Sequence, residues 1–393
     1  MIRQTGASQW RTAAVVTSIC LGLAACTTAG AGAPAAQSGP PESRAVIAVP
    51  AAKERAWAPT HPLVVKAEQG KLTKVAVRDE RGRKVSGDFS ARHARWQSSE
   101  VSLDFNRRYV ITARAVDADG VATESKTWVR TVKPKRVAYT GISPYGASVV
   151  GVGMPVVMTF DQPVNRKAAV ERQLSVSTKP AAVGAWYWVN DQMVRWRPKQ
   201  YWKPGTDVTV RSQLEGVNFG GGVWGDDDDL VRFSIGSSMV STVNIGKYEM
   251  VVEQDGKVIR TLPITTGKAG WDTRVGTKVI ISKERDVVMD AATLDVDESS
   301  SEYYRLDVEY AMRLTWSGEY VHAAPWSVSS QGEENVSHGC TGMSLSDAGW
   351  FFNASKPGDV INYVNGSRQP EDWNGYTDWN LSWDEWKKGS ALS

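Results

Sequence analysis

Short runs of alternating apolar and polar residues fill most of this chain. Between residues 45 and 133 they fall at 63–65, 72–77, 101–105 and 109–115, separated by turn dipeptides such as Arg81-Gly82 and Asp119-Gly120. Alternation at period two puts one face of each run against a core and the other in water. Several such strands at close spacing predict a sandwich of two antiparallel sheets. Residues 136–236 repeat the pattern at 156–160, 185–189, 193–196 and 208–210. Trp96 precedes the run starting at Tyr109 much as Trp196 precedes the run starting at Val208, which reads as two copies of one module.

From about residue 238 the pattern changes. Residues 240–245 alternate, and 248–254 and 257–262 are two strands joined by Asp255-Gly256, a strong hairpin signal. Further β runs lie at 279–282, 287–289, 305–314 and 319–322. One helix is expected after residue 340. Ser346 is its expected cap, Asp347 suits its N-terminal dipole, Ala348, Trp350, Phe351 and Phe352 give an apolar face, and Pro357-Gly358 ends it. The chain closes on a tail bearing Trp373, Trp379, Trp383 and Trp386. The expected fold is mainly β: two immunoglobulin-like β-sandwiches (45–135 and 136–237), a β-rich third domain (238–367) with a short helix, and a Trp-rich C-terminal subdomain (368–393). No cysteine pair links the sheets of either sandwich, so the likeness to antibody domains is architectural.

The first 44 residues do not fit this pattern. Arg3 and Arg11 precede a largely apolar run at 13–25 that is too short to span a bilayer. Leu23-Ala24-Ala25-Cys26 resembles the lipobox of bacterial lipoproteins, which implies cleavage of residues 1–25 and lipid on Cys26; the alternative is an ordinary signal peptide cut nearby. Residues 26–44 are rich in Ala, Gly, Pro and Ser and read as a flexible tether. Either way the protein is expected to be exported, with the lipid holding it to the cell membrane facing the wall. Loss of Arg3 and Arg11 takes the formal charge from +3 to +1, which gives no electrostatic case for nucleic acid. The 17 tryptophans suit a surface that grips sugar or peptide.

The chemistry gathers at Ser337-His338-Gly339-Cys340. Cys340 is the sole thiol beyond Cys20 and Cys26, so in an exported protein it has no disulfide partner and is either a small buried hydrophobe or a nucleophile. His338 and His322 favour the nucleophile. His338 lies close in sequence. His322, on the run 320–322, can approach from a neighbouring strand and is read as general base and later general acid, with His338 as the supporting histidine. The amides of Gly339, Cys340 and Thr341 are the expected oxyanion donors, with the start of the following helix lowering the thiol pKa. His61 and His93 have nothing reactive around them. A zinc site would need a fourth ligand that the pattern does not supply, and the Asp226–Asp229 run reads as a solvated turn. No metal or organic cofactor is called for.

With these residues in view, the chain from about Val240 to its end resembles the L,D-transpeptidase (YkuD-type) family. The resemblance rests on His322-Ala323-Ala324-Pro325-Trp326 followed by Ser337-His338-Gly339-Cys340. The whole layout resembles the actinobacterial lipoprotein form. The resemblance implies a cysteine acyltransferase acting on peptidoglycan stem peptides as donor and acceptor. It makes Cys340 the nucleophile, His322 the base and His338 the second motif histidine, with the Ala323 carbonyl orienting the base. Tyr304, Trp326, Met289 and Ser337 become substrate-binding residues. It also implies 3→3 cross-links formed through a thioester with release of D-Ala from a tetrapeptide, and acylation by carbapenems. Two departures stand out: Gly342 where the family often has Asn, and Ala323 where it often has Ser. The alternatives are an L,D-carboxypeptidase on the same site, or a non-catalytic wall-binding lipoprotein whose tail binds glycan. A papain-like endopeptidase is disfavoured because its cysteine precedes its histidine.

Overall fold

The alternating runs become sheets in the computed structural model, which describes residues 41–50, 54–100 and 102–393. The expected export signal, Cys26, most of the tether and Val101 lie outside the described residues. The first sandwich packs a sheet built on Val64–Glu68 and Arg95–Ser98 against one built on Lys71–Asp79, Arg108–Val116 and Ala122–Thr131. The second packs Val156–Phe160, Gly184–Trp188 and Met193–Pro198 against Leu174–Lys179, Asp207–Gln213 and Asp228–Ile235. The fold class read from the pattern is therefore borne out.

The tryptophan echo has a steric basis. Trp96 and Trp196 are both buried, and each ring lies flat on a glycine of the adjacent strand. A Cβ on Gly87 would fall 2.2 Å from the Trp96 ring, and one on Gly184 would fall 1.9 Å from the Trp196 ring. Only a residue without a side chain lets the indole settle there.

Two strand expectations need correction. Residues 102–105 are a loop, held by Leu103, whose N–H donates to the Pro59 carbonyl and whose side chain is buried in the core. The run 279–282 is not one strand. Gly276–Val279 ends in one sheet, the chain crosses over at Ile280-Ile281, and Ser282–Asp290 begins in another. Both isoleucines pack inward, so hydrophobicity runs unbroken through a sheet change.

The third domain has two sheets. One orders Lys257–Pro263, Glu249–Gln254, Met239–Asn244, Val360–Val364 and Gly276–Val279. Asp255 and Gly256 both take positive φ, as the hairpin turn between Glu249–Gln254 and Lys257–Pro263 requires. The other sheet orders Ser282–Asp290, Arg305–Arg313, Tyr320–Ala323 and Thr341–Met343. The helix Leu345–Ala354 packs against this second sheet, with Ala348 and Phe351 in the core.

The tail folds back on the second sandwich. Trp386 is fully buried and donates through Nε1 to the Ala185 carbonyl at 2.8 Å. The Arg197 guanidinium lies 4.7 Å from the ring centres of both Trp379 and Trp386. Arg195 and Asp378, both buried, pair at 3.2 Å. The expectation that the tail tryptophans form a glycan-gripping surface is corrected for Trp379 and Trp386, whose faces are taken up inside the molecule.

Candidate active site

Parallel pairing between Tyr320–Ala323 and Thr341–Met343 builds the site. His322 stands opposite Gly342, and because alternate residues share a face, Cys340 and His322 project to the same side. Both line one cavity of about 410 Å³, together with Met289, Tyr304, Trp326, Ser337 and His338. All the side chains singled out in the sequence as reacting or substrate-binding therefore surround a single space, with Thr265, Leu306 and Val308 added to them.

The sulfur sits between two main-chain groups at the turn leading into the strand Tyr320–Ala323. Its S–H points to the Gly318 carbonyl at 3.6 Å, and the Tyr320 N–H donates to it. Burial pushes the thiol up to about 12, with Glu319 adding to the rise and the Tyr320 N–H and Lys278 opposing it. Cys340 is thus a neutral thiol at neutral pH. The expected help from a helix terminus is absent. Residue 340 runs straight into the strand Thr341–Met343, and the helix begins later with Ser344 as its cap, not Ser346. Ser344 accepts from the Asp347 N–H at 3.1 Å.

His322 is buried, and its Nδ1–H donates to the Ala323 carbonyl at 2.7 Å. That bond assigns the proton to Nδ1 and leaves Nε2 as an acceptor. Burial lowers the histidine pKa, so the ring is neutral at pH 7. A neutral thiol and a neutral imidazole share one wall, which suits proton transfer during attack rather than a standing thiolate.

His338 lines the same cavity but is engaged by an acidic partner. Its Nε2–H donates to Glu302 at 2.6 Å, and the same carboxylate oxygen takes the Lys268 ammonium at 2.6 Å. The ring lies 4.7 Å from the Trp271 ring and 5.0 Å from that of Tyr304. Glu302, on the segment between Ala291 and Tyr304, thereby ties that segment to the cysteine loop. The sequence marks this segment as acidic but holds no signal that singles out Glu302, because its partners, Lys268 and His338, lie far away in the chain on two other loops.

The motif loop is braced internally. The Ser337 hydroxyl donates to the Cys340 carbonyl at 2.6 Å and accepts the Gly339 N–H at 3.0 Å. Gly339 has φ +120, a conformation that side chains strain to adopt. Its N–H is already engaged, whereas among the described residues the Cys340 N–H has no loop or side-chain partner. Thr341 is buried and bonds through its hydroxyl to Tyr363 Oη at 2.8 Å.

Gly342 has a packing reason. Its N–H and C=O pair with Thr265 at 2.9 and 3.0 Å, and a Cβ there would lie 2.9 Å from Thr265 Cγ2 and 3.0 Å from Ala324 Cβ. On the far side of Met289 and Tyr304 lies a second cavity of about 270 Å³, walled by Gly318, Tyr320 and Trp316.

Comparisons with known proteins bear on the chain as a whole. A family model described as a bacterial Ig domain matches residues 54–218, and one described as the L,D-transpeptidase catalytic domain matches residues 238–362. The chain is similar to L,D-transpeptidase 2 of Mycobacterium tuberculosis, with 35% identity over 391 residues, covering 97% of this chain and 95% of that protein. L,D-transpeptidase 1 of the same species is 42% identical over 223 residues, 57% of this chain and 83% of its own length. A solved L,D-transpeptidase in complex with imipenem is 40% identical with a TM-score of 0.52, covering 59% of this chain and 99% of that one.

Proposed function

The chain belongs to the L,D-transpeptidase family, a family of cysteine-dependent acyltransferases, and from that premise we propose that it cross-links peptidoglycan stem peptides through Cys340. The observation that carries the reading is the shared wall: a lone thiol and a neutral, Nδ1-protonated imidazole line one cavity. The sulfur attacks the third-residue carbonyl of a tetrapeptide stem while His322 Nε2 takes its proton. The carbonyl electrons move to oxygen, which the free Cys340 N–H is suited to hold; Gly339 and Thr341 are the neighbouring donors, Gly339 only once the Ser337 hydroxyl lets go. His322 returns the proton to the leaving amine, and D-Ala departs. The side-chain amine of a diamino acid on a second stem then attacks the thioester, loses a proton to His322 and expels the thiol, leaving a 3→3 cross-link. Water in place of that amine gives carboxypeptidase activity.

Each pocket residue takes a role in this scheme. Ala323 orients the base, Ser337 shapes the loop, and Met289, Tyr304 and Trp326 hold the stem peptide. The second cavity beyond Met289 and Tyr304 gives room for a second peptide chain. His338 positions the loop through Glu302. We place the domain limits at 45–135, 136–237, 238–367 and 368–393. We also propose export, with Cys26 as the lipid-bearing residue that anchors the enzyme to the membrane.

The test is incubation with a disaccharide tetrapeptide and mass analysis of the products. The reading expects D-Ala and a 3→3 dimer with the parent enzyme and neither with Cys340→Ala. Undiminished dimer from Cys340→Ala would refute it.

A further inference from the structure

Directly behind the thiol lie charges that the mechanism does not use. Lys278 is 2% exposed, and its ammonium meets Glu319 at 2.6 Å and stands 3.8 Å from the centre of the Tyr363 ring. Glu319 is 5% exposed and takes a second cation, Arg274, at 2.9 Å. Arg274 continues to Glu371, with Nη2 at 2.8 Å from Oε1. Removing such charges from water is costly, and apolar residues of like volume often serve stability as well or better. Stability alone is a poor reason for this network.

Its position gives another. Glu319 stands between Gly318, whose carbonyl takes the Cys340 S–H, and Tyr320, whose N–H donates to the sulfur. The Glu319 main chain is fixed as well, its N–H by Thr315 Oγ1 at 2.8 Å and its carbonyl by the Leu314 N–H at 2.9 Å. The opposite side of the thiol is held from the same network. Thr273, next to Arg274, donates through its hydroxyl to the Gly339 carbonyl at 2.8 Å. Tyr363, under Lys278, bonds Thr341 at 2.8 Å.

We propose that Glu319, clamped by Lys278 and Arg274, is a positioning residue that holds the Gly318 carbonyl and the Tyr320 N–H against the Cys340 sulfur. The proposal deepens the reading of Cys340 as the reacting atom and rests on it. It also holds that the network serves the thiol and not folding. The side chains that feel the thiol electrostatically are Glu319, Lys278, Tyr304, Tyr320 and Tyr363, with His322 on the same cavity wall.

The deciding variant is Lys278→Met combined with Glu319→Leu. It removes one positive and one negative charge together, so their opposed effects on the thiol largely cancel, and Arg274 keeps Glu371. The readout is the rate of Cys340 alkylation by iodoacetamide against pH, with melting temperature measured alongside. The expected result is a folded protein with a melting temperature close to the parent's, alkylated at least about tenfold more slowly throughout the neutral to mildly alkaline range, because the Tyr320 N–H no longer steadies the small thiolate fraction. A folded double variant with the parental rate and pH profile overturns the proposal, and so does one that fails to fold. Alkylation needs no transpeptidase activity. A failure of the peptidoglycan reading would instead show as a parent enzyme that yields no cross-linked product.

Discussion

The Nδ1–H of His322 donates to the carbonyl oxygen of Ala323 at 2.7 Å, and that bond decides what the ring can do. It commits the proton to the nitrogen on the strand side and leaves the other nitrogen free to accept. Because the partner is a main-chain carbonyl, the side chain at 323 is unconstrained by this task, and alanine serves where the family often has serine.

This arrangement fixes an acid limb. Burial holds the His322 pKa below its ordinary 6.5. Acylation is expected to stay flat as pH falls through 6.5 and to drop only below it, as the ring protonates and Nε2 stops accepting. The sign for stability follows. Between the two pKa values the unfolded chain binds the proton and the folded chain does not, so stability falls with acid from about pH 6.5 downward and recovers as pH rises. His322→Ala should lower turnover by about 10²–10⁴-fold, the range for losing a positioned base. Rates of carbapenem acylation against pH check the limb, and melting temperature against pH checks the stability; a limb centred above 6.5 would contradict the neutral ring.

Glu302 gives a prediction about the segment over the site. Lys268 and His338 hold its carboxylate below the usual range. Its contacts are therefore complete above pH 4.5 and are lost as pH falls through the lower, folded value. Glu302→Gln should loosen the tie, raising KM for the donor peptide several-fold and increasing hydrolysis relative to transfer, because water exclusion depends on closure. The product ratio at neutral pH is the measurement, and an unchanged ratio would mean the segment is held by other contacts.

Gly342→Asn restores the residue the family often carries. Here the new Cβ would press on Thr265 and Ala324, so the strands must part or the cavity narrow. Overpacking of this kind costs about 1–3 kcal/mol. The variant should melt lower than the parent and acylate more slowly; a melting temperature equal to the parent's would show that the two neighbours yield freely.

Much of this architecture was legible in the sequence because period-two alternation and turn dipeptides are local signals. The Asp255-Gly256 hairpin and the paired tryptophans of the sandwiches came through for that reason. Ile280-Ile281 misled because a chain that changes sheets inside the core stays apolar throughout. Cys340 and His322 were found together because a lone thiol and nearby histidines are conspicuous in a short stretch. The strand Thr341–Met343 carries no signal of its own, since three residues are too few for periodicity to speak. Glu302 and the Lys278–Glu319–Arg274 cluster stayed hidden, because an acidic residue shows its purpose only when the fold brings it a distant cation. The tail tryptophans read as surface for the same reason: Arg195 and Arg197, which engage them, lie far away in the chain.

Whether the Cys340 sulfur is the acylated atom is decided by intact-protein mass spectrometry after exposure to imipenem, with digestion to locate the adduct. One stoichiometric adduct is expected on the peptide bearing Cys340, absent from Cys340→Ser. A folded protein whose Cys340 stays unmodified, or whose adduct sits on another residue, would contradict the assignment.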